Sequence, residues 1–216
     1  LVRRSERWLA NEPVDDLQLR LRALGLIALN AGNEQSEDIA RGASILRAAK
    51  RSGRLNDRFA GYISGRIDDA LPLDQLQNNL GATFDTVLPT SQRVEGVLNA
   101  YQAAIDADAY ARVNRDMIII AQLADKTSAQ GAISLVEQVA SPDDMRRVLL
   151  IAEAGGDRSV ALSREMGPNM LRLAQIGVKW TTRLVLQVMA LMALGMALIW
   201  TTLSAFTQAD PVRLIR

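Results

Sequence analysis

Residues 184–206 read LVLQVMALMALGMALIWTTLSAF. No charged side chain interrupts this run, and its only polar members are Gln187, Thr201, Thr202 and Ser204. As a helix rising about 1.5 Å per residue it is roughly 34 Å long, enough to cross the hydrocarbon core of a bilayer with slight tilt. The expectation is one transmembrane helix, opening at Leu184, passing Leu191, Gly195 and Leu198, and closing at Phe206. Lys179, Trp180 and Arg183 before it and Trp200 near its far end are the residue types that anchor a span at the two membrane interfaces. An uncharged run of this length is uncommon inside a soluble fold. It also lies too far along the chain for a secretory signal peptide.

Within the run, Ala193 and Ala197 stand four apart with Gly195 between them. Small residues at that spacing let two membrane helices approach closely. Gln187 either hydrogen-bonds a neighbouring helix or sits near the interface. Arg172, Lys179 and Arg183 precede the run, whereas Asp210, Arg213 and Arg216 follow it. This bias favours a cytoplasmic N-terminal part. The expected organisation is a helical, mainly cytoplasmic domain over 1–180, the transmembrane helix within 181–208, and a short tail over 209–216.

The remaining residues point to helix as well. Hydrophobic residues make up 49% of the 216, yet aromatics only 4%, which is poor material for a sandwich or barrel. The fold class expected is all-α, a helical bundle followed by the single span. Net charge is +1, so no broad basic field argues for nucleic acid. The absence of Cys removes disulfides and thiolate chemistry, and the absence of His removes the commonest general base and metal ligand. The chain begins at Leu1 rather than Met, the start expected of a processed product or a piece of a longer protein.

Apolar periodicity and end signals divide the polar part into eight helices. Residues 3–13 read as a polar lead-in carrying Trp8. The first helix occupies 14–31, with Leu17, Leu21, Leu24 and Ala28 on one face and Gly32 as its stop. Ser36 is expected to cap the second, which carries Ile39, Ala43, Leu46 and Ala49 and ends at Ser52-Gly53. Asn56 or Asp57 opens the third, with Phe59, Ile63, Ile67 and Leu71 inward, and Pro72 breaks it. The fourth covers 73–87, with Leu73, Leu76, Leu80, Phe84 and Val87 inward. A long fifth helix is expected over 92–126, its stripe including Val94, Val97, Tyr101, Val113 and Ile120, with Asp106 and Asp108 as a possible break. Thr127 through Gln130 resembles a capping box that opens the sixth. Ser141-Pro142-Asp143-Asp144 opens the seventh, which ends at Gly155-Gly156. The eighth starts at Asp157, meets Pro168 and is expected to run on into the span.

No catalytic constellation emerges. The glycines lack the Lys-Ser/Thr partner and preceding strand of a phosphate loop. Asp68-Asp69, Asp106/Asp108 and Asp143-Asp144 are paired acids that could hold a divalent cation, but helix-end and solvated-face charge is the better reading. Arg3-Arg4 and Arg146-Arg147 could touch anionic lipid, against the plainer reading of surface ion pairs. No enzyme activity, cofactor or metal is expected.

The stretch VLLIAEAGGD over 148–157, followed by Ala161-Leu162 and a helix leading to a terminal span, resembles the second cytoplasmic repeat and last membrane helix of the inner-membrane platform proteins (the F family) of type II secretion and type IV pilus systems. The order Leu71-Pro72-Leu73 with Leu76, then Val87-Leu88-Pro89-Thr90, is similar to that family's leucine and proline rhythm. The resemblance covers residues 148–208. Family members carry three membrane helices and two similar cytoplasmic domains, whereas this sequence offers one span and no clean repeat. The resemblance implies a non-enzymatic scaffold of a bacterial envelope machine, sited in the inner membrane. Its partners would be the lipid bilayer and other subunits of an oligomer or hetero-complex, and not nucleic acid. The alternative is a tail-anchored adaptor or accessory subunit of another membrane complex, such as a type IV secretion system. A channel fragment would have to oligomerise to form a pathway.

Overall fold

The computed structural model describes residues 1–85 and 89–172, together with residues 186, 187, 189, 190, 192 and 196. The chain divides into two units, Leu1–Leu171 and Arg172–Arg216. All described residues in regular structure are helical.

The stretch expected to be a lead-in is itself a helix, α1 (Val2–Leu9). Its Ser5 is fully buried, and the Ser5 and Tyr101 hydroxyls lie 3.1 Å apart in hydrogen-bond contact. Tertiary burial of one face overrides the poor apolar content of this segment. In α2 (Asp16–Ala31), Asp15 accepts from the Gln18 amide at 3.0 Å, and Gly32 ends the helix at φ +61°, a conformation that suits a residue without Cβ.

The second helix expected from the sequence is α3 (Ser36–Arg51), but Ser36 is not its cap. The Ser36 hydroxyl donates to Asn33 Oδ1 at 2.9 Å and accepts from the Asn33 amide, so it organises the turn before the helix. Asn56 caps α4 (Asp57–Ala70), accepting from the Arg58 amide at 2.9 Å. Phe59, Ile63, Ile67 and Leu71 are buried as their spacing predicts. In α5 (Leu73–Asp85), Leu76 and Leu80 are buried, whereas Leu73 stands 42% exposed at the first turn. Val87, expected to face inward at the end of that helix, lies outside the described residues.

The single long helix expected over 92–126 is two: α6 (Thr90–Ala103) and α7 (Ala107–Lys126). Asp106 supplies the break. Its side chain accepts from the Ala109 amide at 2.8 Å, and its own amide donates to the Ala70 carbonyl at 3.0 Å. The N-cap geometry is incompatible with continuing α6, and the Ala70 bond ties the junction to the end of α4. Val94, counted in the inward stripe, is instead 54% exposed.

The cap of α8 (Ala129–Val136) is Ser128, which accepts from the Gly131 amide at 3.0 Å. Thr127, expected in that role, closes α7 by donating to the Leu123 carbonyl at 2.6 Å. Ser141 caps α9 (Pro142–Gly155), with Pro142 in its first turn. After α10 (Arg158–Met166) the chain makes a single 3-10 turn, Gly167–Asn169, at Pro168. The eighth helix is thus interrupted at Gly167, which takes φ +54° ahead of Pro168; residues 170–172 are helical again, and the expected continuation toward the run at 184 lies outside the described residues.

The body is organised around α7, which packs on α3, α4, α8 and α9. α2 lies along α3, α5 pairs with α6, and α1 rests on α2, α5 and α6. Gly42 on α3 meets the Met117 backbone of α7 directly, an approach only glycine permits. The core is aliphatic, with Leu21, Leu24, Leu46, Ile63, Ile67, Met117 and Ile120 almost wholly buried around Phe59 and Tyr101.

Candidate functional site

Most of the residues singled out from the sequence lie outside the described residues. These are Lys179, Trp180, Arg183, Leu184, Leu191, Ala193, Gly195, Ala197, Leu198, Trp200 and Phe206. Gln187 is described, and it is helical and exposed. Leu186, Met189, Met192 and Met196 are also helical and expose between 62% and 67% of their surface. Among the described residues no helix is long and apolar enough to cross a membrane. The span expected over 184–206 is thus reached only at five of its positions before Met196 and at Met196 itself.

Four of the paired acids have structural employment at helix ends and in ion pairs. Asp68 joins Arg20, Asp106 caps α7, Asp143 meets Arg146 at 3.6 Å, and Asp144 meets Arg147 at 3.3 Å and Ser141 at 2.8 Å. No group of three or more acids that could hold a metal ion occurs among the described residues. The Arg146-Arg147 pair, weighed as a lipid contact, is accordingly engaged with carboxylates one turn away on α9.

Two buried polar arrangements escaped the sequence reading. In the first, Arg20 of α2 is 3% exposed and spans between Asp16, on its own helix, and Asp68 on α4. A buried guanidinium needs such acceptors, because an unpaired interior charge is costly. In the second, Tyr62 donates to Asp116 Oδ2 at 2.9 Å, while Arg66 Nε donates to the Tyr62 oxygen at 2.9 Å. The Arg66 guanidinium lies 5.3 Å from the Tyr62 ring centroid, and Phe59 stacks on that ring at 5.9 Å. Burial pushes the Asp116 carboxyl above the usual carboxylate range, against the opposing effects of the Tyr62 hydrogen bond and the Arg66 charge. The row clasps α4 to α7. Its only sequence signal is a carboxylate set directly before the apolar run Met117-Ile118-Ile119-Ile120.

A third grouping is basic. Arg4 on α1, Arg22 on α2, and Arg47 and Arg51 one turn apart on α3 form no ion pair with any carboxylate among the described residues. Arg47 Nε is buried without a hydrogen-bond partner. Burial, then the charges of Arg22, Arg51 and Arg4, lower the Arg47 guanidinium from the ordinary arginine range. Because these side chains come from three helices, no local motif announces them; only Arg4 belonged to a basic pair noted in the sequence.

The chain matches no family model, no curated protein and no solved structure.

Proposed function

We propose that this chain is a non-enzymatic, membrane-anchored scaffold or assembly subunit of a bacterial envelope machine, of the platform type found in type IV pilus and type II secretion systems. The observation that carries the anchored part is the uncharged run over 184–206, which falls in a unit separate from the helical body over Leu1–Leu171. The exposed apolar side chains of Leu186, Met189, Met192 and Met196 support it, since such side chains are stable in contact with lipid or a partner helix. The platform part rests on the sequence resemblance over 148–208. A helical body fixed to a span can present side-chain surface to cytoplasmic partners and transmit a rigid-body displacement. Residence in the inner membrane with the body on the cytoplasmic side belongs to the same proposal, on the charge bias flanking the run.

The test is affinity purification of the full chain from membranes in mild detergent. The platform reading expects an assembly ATPase and pilin-like subunits to co-purify. Recovery with the subunits of a different membrane complex, and without those two, would replace it with the tail-anchored adaptor reading.

A further inference from the structure

Like charges on neighbouring helices repel unless something compensates them, and folded proteins ordinarily intersperse carboxylates. The surface shared by α1, α2 and α3 departs from this: Arg4, Arg22, Arg47 and Arg51 face no paired acid, although the whole chain has a net charge of only +1. Arg47 and Arg51 are held in register by helical spacing, α2 packs along α3 and α1 on α2, and the charges of Arg22, Arg51 and Arg4 all act on Arg47. Arg47 is only partly exposed; its Nε is enclosed by protein and out of reach of an oxyanion, which leaves the two terminal guanidinium nitrogens to meet one.

We propose that Arg4, Arg22, Arg47 and Arg51 form a receptor for the phosphate group of an anionic lipid headgroup. Guanidinium is the side chain best matched to a phosphoryl group, through two parallel N–H donors and a charge that persists at any physiological pH. The lipid source rests on the anchored reading above, because a chain tethered in a bilayer meets headgroup phosphate at high local concentration. Arg4 alone of these residues adjoins a second arginine in sequence, so the receptor is assembled by the fold.

The experiment uses the full chain in an uncharged detergent and reads the thermal unfolding midpoint. Phosphatidylglycerol, phosphatidylcholine, inorganic phosphate or a polyglutamate peptide is added at matched ionic strength. Phosphatidylglycerol is expected to raise the midpoint and phosphatidylcholine to leave it unchanged. The R47Q/R51Q variant should weaken phosphatidylglycerol binding about 25-fold, from about fivefold per arginine near an anionic surface. R58Q, which removes an exposed arginine of α4, should keep the full response. Without anion, R51Q should match or exceed the parent midpoint, because a repulsion has been removed. A response to inorganic phosphate or polyglutamate with none to phosphatidylglycerol overturns the lipid assignment. The absence of any response, or an undiminished response in R47Q/R51Q, overturns the receptor. The anchored reading fails separately, if the chain stays monodisperse once detergent is withdrawn, and the anion response can be read in that state too.

Discussion

Gly42 and Met117 bring two helix backbones into contact: a methyl group on Gly42 would overlap the Met117 carbonyl group and Cα. The obstruction is backbone, so no side-chain rotation can relieve it. Gly42→Ala should therefore force α3 away from α7 and destabilise the body by about 1–3 kcal/mol or more, as overpacked cores do. Gly25→Ala is the matched control. Its Cβ would meet Ala40 Cα at 3.6 Å, an ordinary contact, and the helix gains propensity. Denaturant titration of both variants should show a lowered midpoint for the first and an unchanged or raised midpoint for the second.

Arg20 is the most deeply buried charge described in the body. Arg20→Ala leaves Asp16 and Asp68 without their shared cation and opens a space between α2 and α4. A loss of about 2–4 kcal/mol is expected, toward the lower side of broken buried pairs because both carboxylates retain some solvent. Equilibrium unfolding monitored by far-UV circular dichroism checks this.

Much of the helical map was legible because it is written locally. Leu17, Leu21 and Leu24, or Phe59, Ile63 and Ile67, repeat at helical spacing and are buried as that spacing requires. Ser141 followed by Pro142 and two acids marks a helix start without reference to the rest of the chain. What failed was set by tertiary contact. The Asp106 break depends partly on Ala70, thirty-six positions earlier, and α1 depends on Ser5 meeting Tyr101. The same applies to the polar arrangements: Tyr62 and Asp116, or Arg22 and Arg47, become neighbours only when separate helices pack. The membrane run is the loudest local signal, and its reading rests on hydropathy, most of its positions lying outside the described residues.

Asp116 gives a pH dependence of unusual sign for a carboxyl. Its folded pKa is raised above the unfolded value, so its contribution to stability is fully present below the unfolded pKa and is lost as pH rises through the folded one. Asp116→Asn keeps an acceptor for the Tyr62 hydroxyl and removes the ionisation. The variant should therefore gain stability relative to the parent as pH rises from about 4 toward neutrality, whereas Asp116→Ala, which removes the acceptor of the Tyr62 hydroxyl proton, should lose about 1–3 kcal/mol. Unfolding curves of all three proteins across that range decide it; a parent–Asn difference that is flat with pH would count against it.

The junction between α6 and α7 should be sensitive to its cap. Asp106→Ala removes the acceptor for the Ala109 amide while leaving the backbone bond to Ala70 available, so a cost of about 1 kcal/mol is expected. Asp106→Asn should recover most of it. Amide hydrogen exchange at the first turn of α7 should accelerate in the alanine variant and not in the asparagine variant.

The central claim is that residues 184–206 hold the chain in a bilayer, and alkaline carbonate extraction of membranes from cells expressing the full chain tests it most directly. The parent protein should remain in the pellet, and Leu194→Arg, which places a guanidinium mid-run at a cost of about 2.5–3.5 kcal/mol on insertion scales, should shift it toward the supernatant. A parent chain released by carbonate, or a Leu194→Arg chain that pellets as fully as the parent, would contradict the anchor.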